Sequence, residues 1–316
     1  MGQASTRVAG IDTAKHKLDV AVHGQDLPWQ VENAPAGWDE LCRRLRQAKV
    51  KRVGIEASGG YERDVVRHLR AARFAVTVLQ PLQVKAVAKL HLRRAKNDAI
   101  DAVLIAACTA LVEEPRVAAD ARLEALAREL TFLEQIEEDI ARLKTRLEQA
   151  SERQRAIIEA DLKALKARRT GELRRLRTAL EAYPDLGQRF ALVLSVPGIA
   201  ERTALALVIR MPELGTLSRE EAAALAGLAP YDDDSGTHRG QRRIAGGRAR
   251  LRRSLYAAAL PAAFRWNKPL NALYARLKAK GKAHKVALVA CARKLLVFAN
   301  AVVERGTPWT ETPNPA

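Results

Sequence analysis

The chain has 316 residues, which at about 150 residues per domain is enough for two domains with hydrophobic cores. Hydrophobic residues make up 48% of the chain and charged residues 28%, a composition that excludes an intrinsically disordered protein. Lysine and arginine outnumber aspartate and glutamate by 54 to 36, so the net charge of +18 points to a nucleic acid or a membrane surface. Aromatic residues are only 4%, which argues against recognition by rows of stacking aromatic side chains.

The cysteines are odd in number and widely spaced: Cys42, Cys108 and Cys291. This spacing predicts reduced, buried thiols and neither a disulfide framework nor a zinc site. Residues 1–8 contain no apolar segment, and residues 286–303 are interrupted by Arg293 and Lys294. We therefore expect neither a signal peptide nor a membrane span, and a cytoplasmic protein that associates with the nucleoid.

The first third of the chain alternates strand and helix patterns. The predicted strands are residues 7–12, 18–22, 51–56 and 74–79, and the predicted helices are residues 35–48, 61–72 and 98–112. The first two strands are separated by a short polar segment, which favours a hairpin. Pro81 ends the last strand and Pro115 ends the last helix. This order predicts a mixed sheet with helices on its faces, in a domain of residues 1–117.

Residues 118–183 follow a different pattern. Leucine and isoleucine recur there at steps of three and four residues, charges fill many other positions, and Gly171 is the single glycine. This predicts an arm, either a long helical pair or a coiled coil, with a bend at the polar residues 151–155. Such an arm joins protomers or spaces domains, and a hairpin within one chain is the alternative.

Residues 184–304 are predicted to be mostly helical, and residues 305–316 form a tail. The predicted helices are residues 190–196, 204–210, 219–227, 249–263 and 282–303. The sequence Pro197-Gly198-Ile199 is typical of a helix–hairpin–helix turn whose backbone amides contact a DNA phosphate, or of a plain helix-breaking turn.

The positive charge is concentrated near the C-terminus. Residues 235–303 contain sixteen lysines and arginines and no aspartate or glutamate. A solvated basic face is the simplest interpretation, but repulsion in so long a block destabilises a compact fold unless an anion neutralises it. We therefore favour a nucleic-acid partner over a membrane.

Four carboxylates stand out by their positions: Asp12, Glu56, Asp98 and Asp101. The first two close predicted strands, and the other two are three residues apart on a predicted helix and share a face. Converging carboxylates favour Mg²⁺, and two such ions about 4 Å apart can stabilise both oxygens of a phosphodiester displacement. Helix caps or surface charges are the alternative for each acid. The competing acids are Asp19, Asp26, Asp39 and Asp64.

Ser235 lies in an Asp-Ser-Gly sequence at residues 234–236, which alone is typical of a turn. Seven arginines follow it: Arg239, Arg242, Arg243, Arg248, Arg250, Arg252 and Arg253. Arginine forks suit phosphate oxygens, so this segment is a candidate nucleic-acid-binding surface with a serine nucleophile. Tyr231 and Tyr256 are rival nucleophiles that we rank below the serine.

In their order along the chain, these motifs resemble transposases of insertion sequence family 110. The N-terminal motifs resemble that family's RuvC-like DEDD domain and are Gly-Ile-Asp at residues 10–12, Lys-Leu-Asp-Val at 17–20, Glu-Ala-Ser-Gly-Gly-Tyr-Glu at 56–62 and Ala-Lys-Asn-Asp-Ala-Ile-Asp-Ala at 95–102. Later motifs resemble its C-terminal transposase domain and lie at residues 196–199, 212–215, 224–230, 234–236, 246–248 and 253–256. The resemblance covers about residues 7–302.

The resemblance implies an α/β plus all-α protein: a RuvC/RNase H-like domain, a coiled-coil arm and a mostly helical serine transposase domain. Carried over, the catalytic acids that bind Mg²⁺ are Asp12, Glu56, Asp98 and Asp101. Ser235 would be the nucleophile that forms a phosphoserine link to DNA, in a composite site assembled from different protomers. The implied partners are donor and target DNA, a non-coding bridge RNA, and further copies of the chain in a dimer or tetramer.

Two other functions remain open from the residues. A RuvC-like nuclease or junction resolvase would use the four acids and water, with Ser235 in a structural role. A non-enzymatic nucleic-acid-binding protein would bind in a salt-sensitive way without cleaving strands.

Overall fold

The computed structural model describes residues 7–25, 27–57, 59–90, 98–111, 120–231, 234–235, 238–240 and 242–310. For residues 98–100, 234–235 and 238–239 it describes the backbone alone. The chain forms two compact units, an N-terminal unit of Met1–Ala118 and a C-terminal unit of Ala119–Ala316.

The N-terminal unit is built on a five-stranded sheet in the order β3-β2-β1-β4-β5. The strands are β1 Val8–Thr13, β2 Lys17–Val22, β3 Trp29–Glu32, β4 Arg52–Glu56 and β5 Ala75–Leu79. β1, β2 and β3 are antiparallel neighbours, whereas β1, β4 and β5 are parallel. The predicted mixed sheet and its first hairpin are therefore confirmed.

Helices cover both faces of this sheet: α1 Pro35–Gln47, α2 Arg63–Ala71, α3 Pro81–Leu90 and α4 Asp98–Leu111. Side chains alternate between the faces along each strand. Ile11 and Ile55 pack in one core with Leu41 of α1 and Leu69 of α2. The neighbouring positions in the strands belong to the other face, which α4 covers.

Two glycines allow α4 to lie directly on the sheet. A Cβ atom at Gly10 would lie 2.1 Å from the amide nitrogen of Ala106 and 2.4 Å from the carbonyl oxygen of Ala102. A Cβ atom at Gly54 would lie 1.7 Å from Oγ1 of Thr109. Because Gly10 and Gly54 are paired across β1 and β4, the helix crosses both strands in close contact.

The C-terminal unit begins with two long helices, α5 Ala121–Glu148 and α6 Glu152–Glu181. They pack against each other in antiparallel fashion within one chain, with Ile140 and Leu162 in one cluster near the turn and Nε of Arg169 2.9 Å from Oε1 of Glu137. The backbone amide of Ser151 donates to Oε1 of Gln154 at 3.0 Å and caps α6. The predicted polar bend is thus the turn of a helical hairpin.

The remaining helices are α7 Pro184–Leu194, α8 Glu201–Arg210, α9 Arg219–Leu225, α10 Ala249–Pro261, a π-helical turn Ala262–Trp266, α11 Lys268–Ala279 and α12 His284–Arg305. Two short hairpins lie between α9 and α10, one of β6 Pro230–Tyr231 with β9 Arg243–Ile244 and one of β7 Asp234–Ser235 with β8 His238–Arg239. The hairpin of α5 and α6 shares its core with these helices, because Leu130 and Leu180 pack in the same cluster as Phe190 and Leu296.

The four short strands β6 to β9 were missed from the sequence, and so were three longer elements, β3, α3 and α11. Pro81 follows the end of β5 at Leu79, as predicted, and it also begins α3, since proline suits the first turn of a helix. Pro269 plays the same part in α11, where Oδ1 of Asn267 accepts from the amide of Leu270 at 3.2 Å. In both places the proline lies at the start of a helix that was not predicted.

The three cysteines are buried and free, as predicted. Among the described residues one helix, α12, has the length and mean hydropathy of a membrane span. Half of its apolar window is buried within the protein, and Leu288, Cys291 and Leu295 belong to the core of the C-terminal unit. This is the pattern of a central core helix.

Candidate active site

Asp12 and Glu56 lie side by side at the carboxyl edge of the sheet, meaning the edge where the parallel strands β1 and β4 end. The strands pair with Ile11 opposite Ile55, and each acid is the next residue along its strand. Neighbouring strands are about 4.8 Å apart, so the two carboxylates begin from adjacent backbone positions. Both residues are half-buried and lie on the face that α4 covers. Oδ1 of Asp12 accepts the amide of Thr13 at 3.0 Å.

Helix α4, which covers this face, carries the other two predicted acids. A guanidinium nitrogen of Arg52, at the amino end of β4, donates to the carbonyl oxygen of Thr109 at 3.0 Å. Ala102 and Ala106, earlier in the helix, lie over Gly10. Helix α4 therefore runs from the carboxyl edge towards the amino end of β4, and the half-buried Asp101 lies nearer the carboxyl edge than Thr109. Asp98 begins the helix, and its side chain lies outside the described part of the structure.

The pKa of Cys108 reports on the same region. Burial raises the pKa of this thiol, and the negative charge of Glu56 raises it further. Glu56 is therefore close enough to α4 for its charge to act on that helix. Within the described side chains, which exclude Asp98, no three acidic, histidine or cysteine residues gather into a group that could hold a metal. The four-acid site therefore stays a prediction.

Asp19 is an acid at this edge that sequence reasoning kept only as a competitor. It lies directly opposite Asp12 in the antiparallel pairing of β1 and β2, and opposite residues share a face. Asp19 is buried, accepts from Nε2 of Gln30 at 2.9 Å, and forms an ion pair with Nζ of Lys17 at 3.1 Å. Strand alternation across the predicted hairpin was the signal that could have found it.

The other competing acids lie elsewhere. Asp39 is on α1, 3.1 Å from Nε2 of His68, and Asp64 is on α2, 3.0 Å from Arg67. Both helices cover the face opposite to α4. Asp26 lies outside the described residues.

Ser235 ends the short strand β7 and pairs with His238 in β8, and Asp234 pairs with Arg239. The predicted turn is thus a small hairpin. The side chains of Ser235 and Arg239 lie outside the described part. Of the rival nucleophiles, Tyr231 is exposed, whereas Tyr256 is packed against the core.

Four candidate arginines, Arg248, Arg250, Arg252 and Arg253, make contacts inside the C-terminal unit that balance or position their charge. Arg248 forms two hydrogen bonds to the carboxylate of Glu213, at 2.6 and 2.8 Å. Arg252 donates to the carbonyl oxygen of Gly246 at 2.6 Å. The other two reach glutamates of α5: Arg250 with Glu134 at 2.6 Å and Arg253 with Glu138 at 2.9 Å. Glutamates remote in sequence thus neutralise part of the basic block.

Glu134 is the centre of this network. Its side chain is only 7% exposed and also pairs with Arg202 at 3.2 Å and Arg210 at 2.8 Å. Burial lowers the pKa of Arg210, and the charge of Glu134 opposes that shift. Arg242 and Arg243 lie at the surface.

Comparison with known proteins identifies the family. Residues 9–153 match the model of the DEDD transposase of IS110, and residues 190–275 match the transposase model of the IS116/IS110/IS902 family. This chain belongs to the IS110 family of transposases. The first match contains the sheet and α4, and the second contains both short hairpins and the following arginines.

Relatives of this transposase agree with that assignment. It is 25% identical over 314 residues to the pilin gene-inverting proteins of Moraxella bovis and Moraxella lacunata, which covers 95% of this chain and 96% of each relative. It is 32% identical over 135 residues to an insertion element IS110 uncharacterized 43.6 kDa protein of Streptomyces coelicolor, or 42% of this chain and 32% of that protein. The protein is a DNA transposase or recombinase.

Proposed function

We propose that this transposase cleaves and rejoins DNA through a phosphoserine intermediate on Ser235, with Mg²⁺ held by an acid cluster. The proposed metal ligands are Asp12, Glu56, Asp98 and Asp101. The observation that carries the proposal is the adjacency of Asp12 and Glu56 at the carboxyl edge, on the face that α4 covers. An all-oxygen donor set of this kind fits Mg²⁺. When bound, Mg²⁺ would polarise the scissile phosphodiester and stabilise charge on its oxygens.

The chain's own residues have separate parts in this reaction. In cleavage, Oγ of Ser235 forms a bond to phosphorus, the bond from phosphorus to the deoxyribose oxygen breaks, and the serine proton passes to solvent while the leaving oxygen takes up a proton. In rejoining, a deoxyribose hydroxyl attacks the phosphoserine and the serine hydroxyl is restored. The covalent link conserves the energy of the phosphodiester between the two steps.

The arginines Arg239, Arg242 and Arg243 follow the proposed nucleophile within eight residues, and we assign them to phosphate contacts. Arg248, Arg250, Arg252 and Arg253 belong to the same proposed surface, but their contacts to Glu213, Glu134, Glu138 and Gly246 also give them a structural part. Part of their charge is therefore already balanced within the protein.

The family resemblance further supports a bridge RNA that selects donor and target DNA, a RuvC-like fold for the N-terminal unit, and a dimer or tetramer in which the hairpin of α5 and α6 contacts another copy of the chain. The names of the Moraxella relatives describe inversion of a pilin gene, which supports a DNA substrate here. Such a protein would act in the cytoplasm on the nucleoid. Sequencing the RNA that copurifies with the chain tests the bridge RNA directly.

The proposal is tested by trapping the covalent intermediate. We expect purified protein, Mg²⁺ and labelled DNA carrying an element end to give a protein–DNA adduct on denaturing gels, and Ser235→Ala to abolish it. Asp12→Ala should abolish it too. If Ser235→Ala still cleaves while Asp12→Ala does not, the protein is instead a metal-dependent nuclease or junction resolvase without a serine intermediate.

A further inference from the structure

Three aromatic side chains meet at the surface of the C-terminal unit, on three consecutive elements. We call them the aromatic patch: Phe264 of the π-helical turn, Tyr274 of α11 and His284 of α12. The rings of Phe264 and Tyr274 are edge to face with centroids 4.9 Å apart, and those of Tyr274 and His284 are 5.9 Å apart. A 2.7 Å hydrogen bond joins the Tyr274 hydroxyl to Nδ1 of His284. The contacts hold the rings in fixed mutual positions.

The patch is exposed, although aromatic rings are costly to leave in water. Phe264 is 47% exposed and His284 is also exposed, whereas Tyr274 is half-buried and packs against the core. The unit exposes other rings too, among them Tyr231 and Trp266, but in this patch the exposed rings contact one another through Tyr274. Tyr274 thus anchors the patch, and the two outer rings face solvent.

The segment that carries the patch is strongly basic. Residues 264–285 contain seven cations and no aspartate or glutamate: Arg265, Lys268, Arg276, Lys278, Lys280, Lys282 and Lys285. All seven residues are exposed. An anion that also offers flat apolar faces is the complement of such a surface.

We propose that the aromatic patch binds unpaired nucleotides, with bases stacking on Phe264 and His284 and backbone phosphates contacting the surrounding lysines and arginines. Stacking on aromatic rings requires bases that are out of a duplex, and it tolerates any base because every base has a π face. A second copy of the chain is a poor occupant, because each copy would bring seven like charges to the interface. The inference rests on the proposed function only in assuming a nucleic-acid substrate, and it does not depend on Ser235 or Mg²⁺.

The test is equilibrium binding to the full-length protein without Mg²⁺, measured by fluorescence anisotropy. The probes are labelled oligo(dT), oligo(U), an abasic strand and a DNA duplex, each of about 20 nucleotides. We expect Phe264→Ala to weaken binding of oligo(dT) or oligo(U) about tenfold, with little change for the abasic strand or the duplex. His284→Ala, at the other outer ring, should act in the same direction.

Leu260→Ala is the matched control. Leu260 is 45% exposed and lies four residues before Phe264, so its replacement removes apolar surface without removing a ring. It should leave all four affinities unchanged. A larger loss for oligo(U) than for oligo(dT) identifies RNA as the ligand, and the reverse identifies DNA.

Three results would overturn the proposal: unchanged affinities in Phe264→Ala and His284→Ala, an equal loss on the abasic strand, or an equal loss in Leu260→Ala. A fourth is a sedimentation shift showing that Phe264→Ala breaks a dimer while single-strand binding stays intact. In that case the patch is an interface between copies. None of these results depends on strand cleavage, so failure of the serine mechanism is recognised separately.

Discussion

The carboxyl edge of the N-terminal unit and the arginine-rich segment of the C-terminal unit place their charges in different ways. At the edge, Asp12, Asp19 and Glu56 come together through the pairing of adjacent strands. In the arginine-rich segment, Arg250 of α10 meets Glu134 of α5 across 116 positions of sequence, through packing of both helices on α8. Backbone pairing determines where the acids lie at the carboxyl edge. Side-chain contacts between residues far apart in sequence determine where the arginines lie. The acids should therefore affect chemistry first, and the paired arginines stability first.

The largest expected effect is on strand cleavage. Asp12→Ala or Glu56→Ala should lower the rate more than about a hundredfold, because each removes a proposed metal-binding carboxylate. The measurement is Mg²⁺-dependent cleavage of labelled element-end DNA. Asp64→Ala, which removes an exposed acid of α2, is the control and should keep its rate. Equal losses in all three variants would contradict a special role for the carboxyl edge.

Removing the charge of Glu134 tests whether the paired arginines of the C-terminal unit stabilise the fold. Glu134→Gln should lower the free energy of unfolding by about 3 kcal/mol, because it removes the anion that pairs with the largely buried Arg210 and leaves Arg202 with Glu137 alone. Urea denaturation measures the change. The control is Glu138→Gln, whose exposed pair with Arg253 should contribute less than about 1 kcal/mol. Similar losses in both variants would show that burial of Glu134 adds nothing.

The difference between local backbone patterns and long-range side-chain contacts also explains how much of the molecule could be predicted from the sequence. Four of the five strands and helix α4 followed from local alternation and periodicity, as did the positions of Asp12 and Glu56 at strand ends. The pairing of Arg250 with Glu134 could not be predicted, because no local pattern specifies which helices pack together. Low aromatic content also argued against base stacking, yet Phe264, Tyr274 and His284 meet in one place. Composition averages over the chain, whereas a surface needs only a few rings in contact.

The packing of α4 links fold to chemistry at the carboxyl edge. Gly10→Ala should lower the free energy of unfolding by about 2 kcal/mol, since its Cβ would lie 2.1 Å from a backbone nitrogen of the helix. Cleavage should fall as well, because α4 carries Asp98 and Asp101. Chemical denaturation and the cleavage assay measure the two effects. Gly171→Ala, in α6 with nothing within 4 Å of the added atom, should instead stabilise the protein slightly.

The smallest effect separates binding of the metal from positioning of its ligands. Asp19→Asn removes one negative charge opposite Asp12 and the anion that holds Lys17, while Gln30 can still donate to the remaining side-chain oxygen. We expect about a tenfold rise in the Mg²⁺ concentration needed for half-maximal cleavage, with the rate at saturating Mg²⁺ nearly unchanged. Gln30→Ala removes the hydrogen bond and keeps the carboxylate, so it should shift the Mg²⁺ requirement less. If Asp19→Asn abolishes cleavage at every Mg²⁺ concentration, Asp19 is itself one of the essential acids, and the cluster at the carboxyl edge contains five carboxylates.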